Sequence, residues 1–439
     1  MERRVGKLRY AVLVLAFALV VTACSMVPAS STGPRAGSDI VIGVPFEATG
    51  AYTNEGGQSR QGYDLWANWA NSQGGIVIKG VRHHVRLLYQ DDQSLPQVVA
   101  QVTEQMITQS HVQFLLSPYG TPLTLAASPV ADKFQVPMVN SNGAAPQTAQ
   151  VFQNSFGVMA PADQYPKAVI DWEITQNPRP MTVGIIAAND PASMLIAQAT
   201  AQYSALRGIK VVYFQQYPAG TTNLYPLVNA AQDKHPDIFF DSGHFLDSVA
   251  AEKAVKDLDF DARLYTFGVG PTQPEFAQAL GPVADYVVTA APWTAQALFH
   301  ADHGPSVAEF VNSYRQKYHT QRAPDFVTAD SMASGLALQF AIEHAGSMDR
   351  DKVRSALASL DVNTFYGRIK FDPQSHQNSS HSALVVQVQH GVPQTVWPAE
   401  LASSQPTYPT PTWLQRLGAA AVQAGLQAAK PKLPGTGVP

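Results

Sequence analysis

The chain has 439 residues, of which 45% are hydrophobic and 14% charged, with a formal net charge of −4 and one cysteine. That length suffices for two or three domains with cores of their own, and charge so sparse excludes a charge-driven disordered chain. The mildly acidic balance argues against a nucleic-acid footprint, and a single cysteine excludes an intrachain disulfide framework or a cluster of cysteine ligands.

Arg3, Arg4, Lys7 and Arg9 flank an uncharged apolar run over residues 10–21, and Val21-Thr22-Ala23 lead into Cys24. A short apolar run with a basic flank and a small-residue exit is a secretory signal, not a spanning helix. Val-Thr-Ala-Cys resembles the lipobox of bacterial lipoproteins, where the cysteine receives a diacylglyceryl group and the chain is cut before it. The resemblance implies a signal peptide over 1–23, lipidation at Cys24, and attachment outside the cytoplasm, to the cell membrane, through lipid alone. Two or three acyl chains hold a domain firmly where one is marginal. The plain alternative is a secretory signal with an incidental cysteine. Loss of four basic residues and Glu2 takes the formal charge from −4 to −7. Residues 24–39, rich in Ser, Pro, Gly and Ala, read as a flexible tether.

From residue 40 the chain alternates apolar runs with helical periodicity. Strands are expected near 40–45, 81–89, 112–116 and 137–140, with helices over 58–71, 98–107 and 121–134 between them. The alternation then restarts: strands near 182–187, 210–214, 237–240 and 263–267, helices over 192–206, 224–233 and 248–258. Strand–helix alternation with short connections predicts parallel sheets covered on both faces. Three more helices are expected over 306–318, 330–344 and 349–360, then a strand pair near 368–371 and 383–389. Residues 398–439 comprise a Pro/Ser/Thr-rich linker and an Ala/Gln/Leu-rich stretch, 413–430, that reads as one helix, with fraying ends.

Gly43-Val44-Pro45, Thr49-Gly50, Gly56, Gly62 and Asn71-Ser-Gln-Gly-Gly-Ile76 form an ordered series. Asp91-Asp92-Gln93-Ser94, Val136-Pro-Met-Val139, Asp325–Asp330, Ala345-Gly-Ser-Met-Asp349 and Gly367-Arg-Ile-Lys-Phe-Asp372 continue it. This series resembles the leucine/isoleucine/valine-binding protein family, solute receptors of ABC importers, over residues 40–397. The resemblance implies an α/β, type I periplasmic binding protein: two Rossmann-like lobes with parallel sheets joined by a three-segment hinge. Lobe 1 would be 40–159 plus 291–366, and lobe 2 would be 160–290 plus 367–397. The lobes would close on a solute by hinge motion.

Ligands in open parallel sheets sit beyond the carboxyl ends of strands. Tyr119, Gly120 and Thr121 follow one strand, and Thr121 opens a helix whose N–H groups suit a carboxylate; a helix cap explains Thr121 equally well. Ser141, Asn142 and Gly143 follow the next strand and match the family's second ligand loop, or form a tight turn. Two departures stand out. Ala144 replaces a threonine common in the amino-acid binders, and Gly268, in Phe267-Gly-Val-Gly270, lies where they place a glutamate for the ligand's ammonium. Burying an ammonium without a carboxylate is costly, so an α-amino acid requires Glu55 or Asp190 in that role. On the second lobe Asp190, His244 and Gly268 are the ligand candidates. Tyr52, Tyr165 and Trp293 are candidates to wall a roomy, aromatic-lined pocket with one anion end, suited to an aromatic or branched carboxylate or an amide. The resemblance implies no cofactor, no metal and a monomer. Its partners are a small-molecule solute, ABC permease subunits and the membrane through the lipid, with no nucleic acid.

No Gly-x-Ser-x-Gly, Ser-x-x-Lys, His-Glu-x-x-His or phosphate-binding Gly-x-x-x-x-Gly-Lys occurs. His300-Ala-Asp302-His303 lacks a standard metal spacing and reads as a solvated loop. The sequence therefore points to a binding protein without bond chemistry. A sensor's ligand-binding module and an extracellular α/β hydrolase are the alternatives.

Overall fold

The computed structural model describes residues 35–297, 299–380 and 383–416. The signal, Cys24 and most of the tether lie outside them, as does the 413–430 helix beyond Arg416. Among the described residues no helix is long and apolar enough to cross a membrane.

Two sheets organise the chain. In the first, Ile40–Phe46 lies between Val85–Asp91 and Phe114–Leu116, followed by Met138–Asn140 and Ser155–Gly157, and every pairing is parallel. Phe114, Leu115 and Leu116 are fully buried, as expected of a strand covered on both faces. The second sheet runs Lys210–Tyr217, Thr182–Ala188, Ile238–Ser242, Leu264–Phe267 and Val288–Ala291 in parallel. Leu384–Gln389 and Val392–Trp397 extend that sheet antiparallel. The fold is thus α/β with two doubly wound lobes, its second sheet mixed at one edge.

Local chemistry sets the element ends. Asp190, Asp325 and Asp349 accept backbone N–H bonds as helix caps, and Ser306 with Glu309 forms a capping box. Prolines occupy the first turn of helices Pro96–Thr108, Thr121–Lys133, Tyr165–Glu173 and Pro191–Leu206, where no donor is needed.

Three expectations are corrected. The strand foreseen over 81–89 is two, Val81–His83 and Val85–Asp91, because Lys79 and Gly80, both at positive φ, turn Ile76–Ile78 back onto the first. The late strands do not pair with each other: Gly367–Lys370 pairs with Asp361–Thr364, and Leu384–Gln389 joins the second sheet. Residues 367–378, expected with lobe 2, pack on the first lobe. Ile369 and Phe371 belong to its core, and Gln377 bridges to Gly157.

The stretch after Trp397, expected as a linker, lies on the second lobe. Trp413 is buried against Tyr265, its indole N–H donating to the Phe260 carbonyl at 3.1 Å. The Arg416 guanidinium stacks over Trp413 and reaches Glu252 at 3.6 Å, both side chains being buried.

Candidate functional site

The strand ends of the two lobes face one crevice. Helix Thr53–Ser72 leaves the end of strand Ile40–Phe46 and carries Tyr52 and Glu55 at its start. The loop after Phe114–Leu116 brings Tyr119 beside them. From the second lobe, the loop after Ile238–Ser242 presents His244, and that after Thr182–Ala188 presents Asp190. Tyr52, Tyr119, His244 and Asp190 meet there, with Glu55 beside them. The Tyr52 ring lies 6.0 Å from Tyr119 and 5.4 Å from His244, and the Tyr119 hydroxyl is 3.4 Å from His244 Nδ1. His244 Nε2 lies 3.4 Å from Asp190 Oδ2, while Asp190 Oδ1 caps helix Pro191–Leu206.

Electrostatics follow from that packing. Burial alone would lower the His244 pKa, but Asp190 and then Glu55 outweigh it and push the imidazole up to about 9. Burial would raise Asp190, yet its bond to His244 holds it below the ordinary carboxylate range. Glu55 is raised by burial, against the opposing pull of His244 and the Phe245 backbone N–H across the cleft. Burial also pushes Asp325 up to about 7, and Tyr52 up to about 12.

The first-lobe loops expected to hold an anion make several hydrogen bonds within their own lobe, and the Thr121 O–H remains a donor. Glu47, buried at the end of the first strand, accepts the Tyr119 backbone N–H at 2.7 Å. Burial and nearby Asp92 raise its pKa well above the carboxylate range. The Thr121 hydroxyl accepts from the Ala145 N–H at 3.1 Å. Ser141 pairs with the Tyr63 hydroxyl at 2.6 Å, the Asn142 amide donates to Ser141 and Ser331, and the Gly143 N–H donates to Asn140. Gly120, at φ 82°, turns the chain into helix Thr121–Lys133. Trp293, expected to wall the cleft, instead lies in the first core between Phe310 and Phe365, donating to the Phe365 carbonyl.

Residues of both lobes line two further spaces. On the hinge side a cavity of about 60 Å³ is almost wholly apolar. Tyr165 and Gly268, both expected, line it with Met159, Phe240, Phe267 and Phe326. On the outer side a polar pocket of about 340 Å³ lies against Gln58, Tyr314, Arg322, Asp325 and Glu275. A larger groove of about 1040 Å³ runs outside the crevice, between helix Pro191–Leu206 and residues 372–379, away from the strand ends. His300 and Asp302 form an exposed pair at 3.1 Å. Among the described residues no cluster has the geometry of a metal site.

Glu47, Gln58 and Asp325 were not among the expected site residues. Glu47 was findable, since it follows directly on a parallel strand's carboxyl end.

A two-lobed α/β protein whose strand-end loops meet across a cleft is a solute-binding architecture, and the comparisons agree with it. The family model described as periplasmic binding protein matches residues 39–393, and the chain belongs to that family. The family is one of extracytoplasmic binding proteins, not enzymes. Leu/Ile/Val-binding protein homolog 8 of Brucella suis biovar 1 (strain 1330) is 24% identical over 399 residues, covering 88% of this chain and 97% of that protein. Among solved structures, the branched-chain amino acid transporter substrate binding protein LivJ of Streptococcus pneumoniae, in complex with isoleucine, superposes with a TM-score of 0.70. It is 19% identical, over 81% of this chain and 97% of that one. A solute binding protein of an ABC transporter from Rhodopseudomonas palustris BisB5, in complex with 3,4-dihydroxybenzoic acid, gives 0.70 at 17% identity. That match covers 80% of this chain and 93% of the other.

Proposed function

We propose that the chain is a lipid-anchored solute receptor that delivers an amino-acid-like solute to an ABC importer by closure of its two lobes. The observation that carries the reading is the cleft itself. An apolar cavity on the hinge side is walled by both lobes, and Glu55, His244 and Asp190 come together from the loops at the strand ends. The cavity is apolar but, at about 60 Å³, smaller than a leucine or phenylalanine side chain, so such a group requires the lobes to part there; an ammonium suits the acids, which take the part of the missing glutamate at Gly268. The charge balance sharpens the choice. Asp190 is held ionised beside the His244 imidazolium and Glu55 faces it from the other lobe, so an ammonium beside these acids favours an amino acid or its amide over a free aromatic carboxylate. The relatives that bind isoleucine and 3,4-dihydroxybenzoic acid bracket that range.

Titration of leucine, isoleucine, phenylalanine and 4-hydroxybenzoate into the lipid-free chain starting at Ser25 tests this. The three amino acids should bind and the benzoate should bind at least tenfold more weakly; the reverse order would overturn the preference. Anchoring is tested separately. Cys24→Ser should move the protein from the membrane fraction to the soluble one, and an unchanged distribution would remove the lipid from the account.

A further inference from the structure

Strand Ile40–Phe46 leads directly into a buried acid. The Glu47 side chain is 1% exposed, and its carboxyl accepts the Tyr119 backbone N–H at 2.7 Å. An apolar residue would be cheaper to bury there, but it would leave that main-chain donor without an acceptor. The same carboxyl meets a second element. A Cβ at Gly56 would lie 2.6 Å from Glu47 Oε2, so glycine is what lets the first turn of helix Thr53–Ser72 sit against the acid. Gly56 follows Glu55 directly and donates its N–H to the Tyr52 carbonyl at 2.8 Å.

The neighbours of Glu47 complete the frame. Asp92, fully buried, accepts the Ser94 N–H at 2.9 Å and donates its own N–H to the Phe46 carbonyl at 3.0 Å. Ser94 in turn accepts the Tyr52 N–H at 3.1 Å and donates to the Thr49 carbonyl at 2.9 Å. Tyr52, Glu55 and Tyr119 are thus held from the ends of two neighbouring strands, Ile40–Phe46 and Val85–Asp91. The titratable groups facing Glu47 are Asp92, Glu55, Tyr52 and Tyr63, all acids or phenols. Burial first, and then Asp92, holds the Glu47 carboxyl protonated above the usual carboxylate range, against the pull of the Tyr119 N–H.

We propose that Glu47 is a positioning residue for solute binding: its carboxyl ties the Tyr119 loop to the first turn of helix Thr53–Ser72, so that Tyr52, Glu55 and Tyr119 meet the solute as one preset surface. The inference rests on the receptor reading above and adds the group that presets its first-lobe side. A preset surface loses less freedom on binding, so removing the tie costs affinity. Calorimetric titration of the lipid-free chain with leucine, isoleucine and phenylalanine should show Glu47→Ala weakening binding at least tenfold. Glu47→Gln keeps an acceptor for the Tyr119 N–H and sets an amide donor where the protonated acid carries its O–H. It should recover affinity to within threefold of the wild type. Only the wild type can ionise at this position, so its affinity should fall more steeply with rising pH than that of Glu47→Gln, every other titrating group being common to both. In amide NMR spectra of tyrosine-labelled protein, the Tyr119 N–H, assigned by its loss in Tyr119→Phe, should show a pH step in the wild type that Glu47→Gln lacks. Equal affinities of the Ala and Gln variants, or a Tyr119 amide with the same pH response in wild type and Glu47→Gln, would overturn the positioning role. Should Glu47→Ala not fold, the pH slope and the amide step decide it. Absence of binding by all three amino acids would count against the receptor reading, while the amide step alone still decides whether Glu47 holds the Tyr119 loop.

Discussion

His244 is the residue on which the cleft's charge balance turns. It faces Asp190 and Asp247 from its own lobe, and Glu55, Tyr52 and Tyr119 from the other. Its raised pKa means that the folded protein binds a proton there more tightly than the unfolded chain does. The stability this contributes is fully present below the unfolded value near 6.5 and is lost as pH rises through about 9. An NMR titration of the imidazole should therefore give a midpoint near 9, and Asp190→Asn should bring it down by more than one pH unit. A midpoint at or below 6.5 in the wild type would show that Asp190 does not hold the charge. At the same scale, the bonds made within the anion loop are not visible in the sequence. A hydroxyl at a helix start and an Asn-Gly turn are visible in sequence, but whether their polar atoms remain free depends on distant partners. Ala145 takes Thr121 and Tyr63 takes Ser141, and no local pattern announces either contact.

At the scale of elements, alternating apolar runs were legible because buried parallel strands leave continuous signatures, as in Phe114-Leu-Leu and Ile238-Phe-Phe. Short strands without such a run, Ser155–Gly157 and Asp361–Thr364, were not, since their pairing comes from tertiary register alone. The segment ending at Arg416 was misread for a related reason: its Pro/Ser/Thr composition suggests a linker, and only the fold shows Trp413 seated on Tyr265. Truncating Trp413 to Ala should cost about 3–5 kcal/mol, the usual penalty for a buried tryptophan, read by denaturant unfolding. Arg416→Met should cost less at neutral pH, where burial raises Glu252 to about 8 and leaves it largely protonated, and more above that pH, where Glu252 ionises without its cation. Adding Glu252→Gln should recover much of that loss. Additive effects in the double variant would mean that the pair is not coupled.

At the scale of the molecule, the lobes meet through small polar and aromatic contacts: Asn54 to Gln273, Arg322 to Glu275, and Tyr119 to His244. Apolar contact between them gathers near the hinge, around the cavity lined by Met159, Phe267 and Phe326, and relative motion of lobes joined elsewhere by small polar contacts is the ordinary expectation. A solute that touches both lobes adds its binding energy to closure, which is how ligand chemistry becomes a shape a permease can read. The most direct measurement is calorimetric titration of the lipid-free chain, unfolded and refolded to strip any carried solute, with leucine, isoleucine and phenylalanine. The account predicts one-site binding with micromolar or tighter affinity for at least one of them, weakened at least tenfold by Glu55→Gln. Absence of binding by all three to correctly refolded protein, or binding indifferent to Glu55, would contradict it.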